Sequence, residues 1–263
     1  MKRTLCFVVL VSLLLSACSL PSVFFQSKPA EPASSYEPAP VPSGSPAPAP
    51  IITPEPVPAA TPEPVEIYDA FCEVGTYSDE FNNSWSYVLR IPAIKTSGAD
   101  ATRLNQELFT ALYPGVSEVK NAMAMGTSLG VDRVDYTIYI NDQLISIVCE
   151  TDTNWGFESY YVVNFDASTR TEVTQEQLLQ RFGLTKEQFL DLGVQVMQQY
   201  FQDSLSAAPK DEMYWDRYNK STAKENFSSD CQLYVDNNGQ LCMIVKLYSL
   251  AGADYYYHIF TVK

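Results

Sequence analysis

Proline is spread so unevenly along this chain of 263 residues that it decides which part can fold. Of the 17 prolines, 14 lie between Pro21 and Pro64, interleaved with Ala, Ser, Glu and Val. Such a stretch lacks backbone donors and cannot bury enough apolar surface to offset its ordering entropy. Residues 18–65 are therefore read as an extended, unfolded tether. At about 3.1 Å per residue in polyproline II, it reaches roughly 100 Å or more. Beyond it, residues 66–263 offer enough length for a sizeable core, as one region or as two packed lobes at about 66–130 and 131–263.

The first residues explain what the tether would hold. Lys2 and Arg3 precede an apolar run from Thr4 to Leu15, which is too short to span a bilayer stably. Leu15-Ser16-Ala17-Cys18 then places small residues before a cysteine, the layout of a lipoprotein signal peptide. Residues 1–17 are expected to be removed and Cys18 to carry the lipid. The expected location is the outer face of the cell membrane, in the cell envelope. Only Met1 to Arg3 would face the cytoplasm, so no cytosolic effector domain is expected in this chain.

Charge narrows the partners. Once Lys2 and Arg3 are removed, 15 basic residues face 31 acidic ones, a net charge of −16. Nucleic acid and anionic lipid surfaces would be repelled, whereas cationic proteins are permitted. The expected membrane contact is through the N-terminal lipid alone.

Periodicity points to an α+β fold with mainly antiparallel sheet, built from hairpins with two or three packing helices. Asp69 to Thr76 and Trp85 to Ile91 read as paired strands, the second ended by Pro92. Asp100 to Tyr113 reads as an amphipathic helix with Leu104, Leu108, Ala111 and Leu112 on one face. Val134 to Ile140 and Leu144 to Glu150 form a hairpin across Asn141-Asp142, and Tyr160 to Phe165 is a further strand. Thr174 to Gln180 and Thr185 to Tyr200 read as helices. Cys231 to Val235 and Leu241 to Leu247 pair through Asn237-Asn238-Gly239, followed by a last strand from Tyr255 to Val262.

Catalytic signals are sparse. His258 is the single histidine, so a multi-histidine metal cage is impossible and no nucleophile motif accompanies it. Alternation sets Tyr256 and His258 on one face, Tyr255 and Tyr257 on the other. Asp132, Asp135, Asp152 and Glu158 match no calcium loop, and Gly126 to Gly130 no phosphate loop. No cofactor or metal is expected. Seventeen tyrosines and three tryptophans are the remaining lead, because such side chains offer rigid area with a polar tip. Trp155, Phe157, Tyr160, Tyr214 and Trp215, in or beside expected loops, make up the candidate binding surface.

Cys6 leaves with the signal peptide, so Cys72, Cys149, Cys231 and Cys242 remain for disulfides or free thiols. Full pairing would allow three connectivities. Cys231 and Cys242 share a hairpin but stand out of register across the Asn238-Gly239 turn.

Several segments carry a resemblance. Ile91-Pro92-Ala93-Ile94 with Leu104-Asn105-Gln106-Glu107-Leu108, then Tyr160 to Asp166 with Thr169 to Thr174, resemble an extracellular family. Leu233-Tyr234-Val235, Asn238-Gly239 and Tyr248 to Ala253 are similar to its closing hairpin. It is the module of RsiV-type lysozyme-sensing anti-sigma factors and PdaC-type peptidoglycan deacetylases. A glycine usual after the Asn164-Phe165-Asp166 strand is replaced by Ser168-Thr169-Arg170. The leading expectation is a non-catalytic binding or sensing domain that engages a lysozyme-like cationic protein, which the resemblance implies, or cell-wall glycan (peptidoglycan). The alternative from a different class is a wall-modifying hydrolase using carboxylates.

Overall fold

Strand alternation sorts the side chains into four layers, seen in a computed structural model that describes residues 64–263 except 155, 157, 230, 252 and 253. The expected signal peptide, Cys18 and the expected tether up to residue 63 lie outside the described residues. None of the described helices is long and apolar enough to cross a membrane.

The first two layers come from residues up to 172. Strands β1 (Glu66–Ser78), β2 (Ser84–Lys95), β3 (Val131–Asn141), β4 (Leu144–Thr153), β5 (Glu158–Asp166) and β6 (Thr171–Glu172) form one sheet in chain order. Every neighbouring pair is antiparallel except β2 and β3, which run parallel through Val88 and Leu89. Helix α1 (Ala99–Met125) makes that crossover and covers one face. Its stripe of Leu104, Leu108, Leu112, Val116 and Val119 packs on Leu89, Ile91, Ile147 and Phe165.

The other two layers follow. Strands β7 (Gln232–Val235), β8 (Leu241–Tyr248) and β9 (Tyr255–Thr261) form a three-stranded antiparallel sheet. Helices α2 (Gln175–Arg181), α3 (Lys186–Ser204), α4 (Glu212–Thr222) and α5 (Lys224–Ser228) pack against it. Leu241, Met243 and Val245 of β8 point into this helical core with Phe189, Met197 and Phe201. The alternate residues Cys242 and Ile244 face Val148 of the large sheet. Strand β4 is thus buried on both faces: Ile145, Ile147 and Cys149 toward α1, Val148 toward the small sheet. The class is α+β with mostly antiparallel sheet, as the hairpin pattern implies.

A polar seam runs beside this contact between the two sheets. The hydroxyl of Ser146 donates to Asn164 Oδ1 at 2.7 Å and accepts from the Val235 amide at 3.1 Å. Asn164 Nδ2 donates to the Leu233 carbonyl at 2.8 Å. The Gln232 carboxamide accepts from the Val162 amide at 2.7 Å and donates to the Tyr160 carbonyl at 2.5 Å. Side chains therefore occupy backbone groups on the free edges of β5 and β7, which burial would otherwise leave unpaired at a cost of about 1–3 kcal/mol each.

Several boundaries differ from the sequence reading, each for a physical reason. Strand β2 runs past Pro92 to Lys95, because Pro92 pairs with Asp69 where a bulge interrupts the ladder of β1. Helix α1 continues through Pro114 rather than ending at Tyr113, because its buried stripe continues to Ala122. Met213-Tyr214-Trp215 lies in helix α4, not in a loop, with Asp211 accepting from the Tyr214 amide at 2.9 Å. Residue 130 divides no lobes, since the large sheet is continuous across it; the two main cores divide after β6.

Two other readings gain detail. Arg170 takes the left-handed conformation (φ 58°) in the turn where a glycine is usual. Asn105 is an anchor: its carboxamide accepts from the Ile94 amide at 2.7 Å and donates to the Ile94 carbonyl at 2.9 Å, tying α1 to β2. All four described cysteines are free. Cys149, Cys231 and Cys242 sit in three different hydrophobic clusters, so each buried thiol has apolar neighbours instead of a second sulfur. Burial pushes the Cys231 thiol up to about 12.

Candidate binding surface

Two patches collect the chemistry-bearing side chains, and they lie on different layers. The first is at the turn end of the β4–β5 hairpin, where Thr153 leads on to Glu158. Pairing sets Glu150 opposite Tyr160 and Asp152 opposite Glu158. With a period of two residues, all four share one face of the large sheet, the face turned toward the small sheet. Carboxylate oxygens of Glu150, Asp152 and Glu158 come within 4.8 Å of one another, all three half-buried.

The electrostatics follow from that crowding. Burial pushes the Glu150 carboxyl up; Arg133 opposes the rise, and Asp152, Glu158 and Asp135 reinforce it. Asp132 is raised by burial and by Asp152. Arg133 is itself shared with Asp135 at 3.3 Å, and Asp135 also takes Arg90 at 3.2 Å. The patch therefore keeps excess negative charge at the surface. Tyr160 closes one side, its hydroxyl donating to Glu158 at 3.0 Å and its ring meeting Tyr257 edge-on at 5.6 Å. Three carboxylates could supply part of the oxygen shell that a calcium ion needs.

The second patch is on α3 and α4. Trp215 is 49% exposed, while Tyr214, the next residue, is only 5% exposed. Tyr214 is thus a core residue, wedged edge-on against Phe201 at 5.8 Å, and it supports Trp215 from beneath. In the expected binding surface it supplies floor rather than exposed area. Between the C-terminal end of α3 and the start of α4 runs a groove of about 350 Å³, lined by aromatic rings, Gln202, Ser206 and Lys210. A further groove of about 500 Å³, between α2, α3 and α5, is lined by Leu179, Leu184, Phe189, Leu190 and Phe227.

Of the five residues expected at one surface, Tyr160 belongs to the first patch and Trp215 to the second; Trp155 and Phe157 lie outside the described residues. Among the carboxylates singled out in the sequence, Asp152 and Glu158 do converge. Glu150 was missed, although strand alternation from Asp152 and the Tyr160 pairing place it there. His258 packs between Tyr200 and Phe260 at 5.0 and 4.5 Å, and burial pushes its imidazole below the ordinary value.

No protein-family model matches the sequence, and no curated protein does. Among solved structures, the chain is similar to a member of the DUF3298 family from Bacteroides fragilis. The identity is 11% and the TM-score 0.36, over 75% of this chain and 90% of that one. At that level of likeness, function has to be read from the residues themselves.

Proposed function

We propose that this chain is a lipid-anchored, non-catalytic binding domain at the outer face of the membrane, and that it engages a cationic protein of the lysozyme-like kind. The supporting observation is the convergence of Glu150, Asp152 and Glu158 within 4.8 Å, with too little basic charge beside them to neutralise it. Such a patch on an acidic domain steers basic partners and rewards contact with Lys and Arg. The resemblance to RsiV-type and PdaC-type modules supports the same reading, and the lipoprotein layout at Cys18 supplies the anchor.

The test is binding of the full chain, purified in detergent, to lysozyme over a salt series. Affinity should fall steeply with ionic strength, and Glu150→Gln with Asp152→Asn and Glu158→Gln should weaken it about tenfold or more. Salt-insensitive binding, or none, overturns the proposal. Fatty-acid labelling that is lost in Cys18→Ser tests the anchor separately.

A second reading, a carboxylate hydrolase of wall polymers, is favoured by Glu150 alone: its raised carboxyl beside Asp152 resembles an acid paired with a base. Turnover of muropeptides that disappears in Glu150→Gln would establish it.

A further inference from the structure

The groove between α3 and α4 combines three features that its structural role does not require. Its floor is aromatic: Phe201, Tyr214 and Tyr218 pack together, with the two tyrosine rings nearly parallel at 12°. The Trp215 ring stands at 79° to Tyr218 and 86° to Tyr214, forming a wall at the rim. A core residue would be covered, yet Trp215 leaves half its surface to solvent.

The rim is polar without being acidic. Gln202 and Ser206 are exposed on the α3 side and line the same groove. Lys210 places its ammonium 3.6 Å from the centre of the Tyr214 ring and donates to the Leu205 carbonyl at 3.3 Å. It makes no ion pair with any described residue, in a chain of net charge −14. The next residue, Asp211, is exposed and caps α4 by accepting from the Tyr214 amide. Of the residues that line the groove, Lys210 alone is charged, against the sign of the whole protein.

Flat aromatic faces attract the C–H bonds of a pyranose ring, hydroxyl and carboxamide groups bond its hydroxyls, and an ammonium selects a carboxylate substituent. About 350 Å³ is at the small end of ligand sites. We infer that the α3–α4 groove binds a saccharide carrying a carboxylate, with Trp215 as the stacking platform and Lys210 as the charge contact. This site is separate from the carboxylate patch and stands without it.

Two probes differing in that one group decide the matter: the disaccharide of N-acetylglucosamine and N-acetylmuramic acid, with its lactyl carboxylate, and neutral chitobiose. Binding to the full chain in detergent is followed by calorimetry. The acidic disaccharide should bind more tightly than chitobiose. Trp215→Ala should lower affinity for both by about tenfold. Lys210→Gln, at an exposed position, should lower affinity only for the acidic sugar, bringing the two together. Failure of the acidic disaccharide to bind at millimolar concentration, or wild-type binding of it by Trp215→Ala, overturns the inference. Equal affinity of the unmodified chain for both sugars overturns the role of Lys210. Because lysozyme is absent from these mixtures, their outcome is independent of the cationic-protein test.

Discussion

The two sheets are covered in opposite ways. One helix of 27 residues shields the large sheet; it has no side-chain cap at Gly98 and carries Pro114 in its interior. The small sheet is covered by short helices whose ends are tied down. Thr174 with Gln177 and Thr185 with Gln188 each form a complete capping box at the start of α2 and α3. Helix α1 therefore owes its length to tertiary packing, whereas α2 and α3 are specified locally. A long apolar stripe can override a helix breaker costing about 3 kcal/mol, because each buried Leu or Val contributes roughly 1.5–3 kcal/mol.

Substitutions can break or sharpen this contrast. The largest effect is expected from Leu108→Ala, at a fully buried position of α1. It should cost about 3–4 kcal/mol in urea unfolding. A loss below about 1 kcal/mol would mean that packing does not hold α1.

At the junction of the two regions, Asp166 accepts from Arg181 of α2 at 2.6 Å and from Ser168 and Thr169 in its own turn. Burial pushes its carboxyl up, but the Ser168 hydroxyl and the Arg181 guanidinium, with the two turn amides, hold it well below the ordinary 3.8. Its folded value is depressed, so its contribution is complete above that ordinary value and is lost as pH falls below it. Asp166→Asn should cost about 2 kcal/mol at neutral pH and flatten the acid limb of the stability profile.

Pro114→Ala should raise stability by about 1–2 kcal/mol, since the stripe already holds the helix and the new amide can complete its ladder. Thr185→Ala should remove about 1 kcal/mol, seen as a lower urea midpoint with unchanged slope. An unchanged midpoint would show that α3 too depends on packing alone. The smallest effect is expected from Arg170→Gly, a gain of about 0.5 kcal/mol from relief of the left-handed backbone. Loss of the Arg170 bond to Ser97, at 2.9 Å, limits that gain.

This contrast also explains what could be read from the residues alone. Hairpins were legible because β7 and β8 are joined by Asn237-Asn238-Gly239, with Gly239 at φ 76° and Asp236 bonding the turn amides. Helices α2 and α3 were legible because Thr174 and Thr185 announce them. The far half of α1 was not, because a proline is a local signal and its remedy lies on other strands. Helix α4 was read as loop because its aromatic residues looked like surface, although Tyr214 packs inward. The Asp152–Glu158 pairing depends on the register of β4 and β5, which no local motif states.

The position of β7–β9 after the large sheet in chain order has a consequence for synthesis. Residues up to 172 can complete the large sheet and its helix, but Val148, Val162 and Tyr139 then remain a greasy plateau until residues 232–261 arrive. Lys263, just past β9, takes part too, its carbonyl accepting from the Leu241 amide at 2.8 Å. A prematurely terminated chain would thus emerge with its stickiest surface bare, and quality-control proteases would meet it in that state.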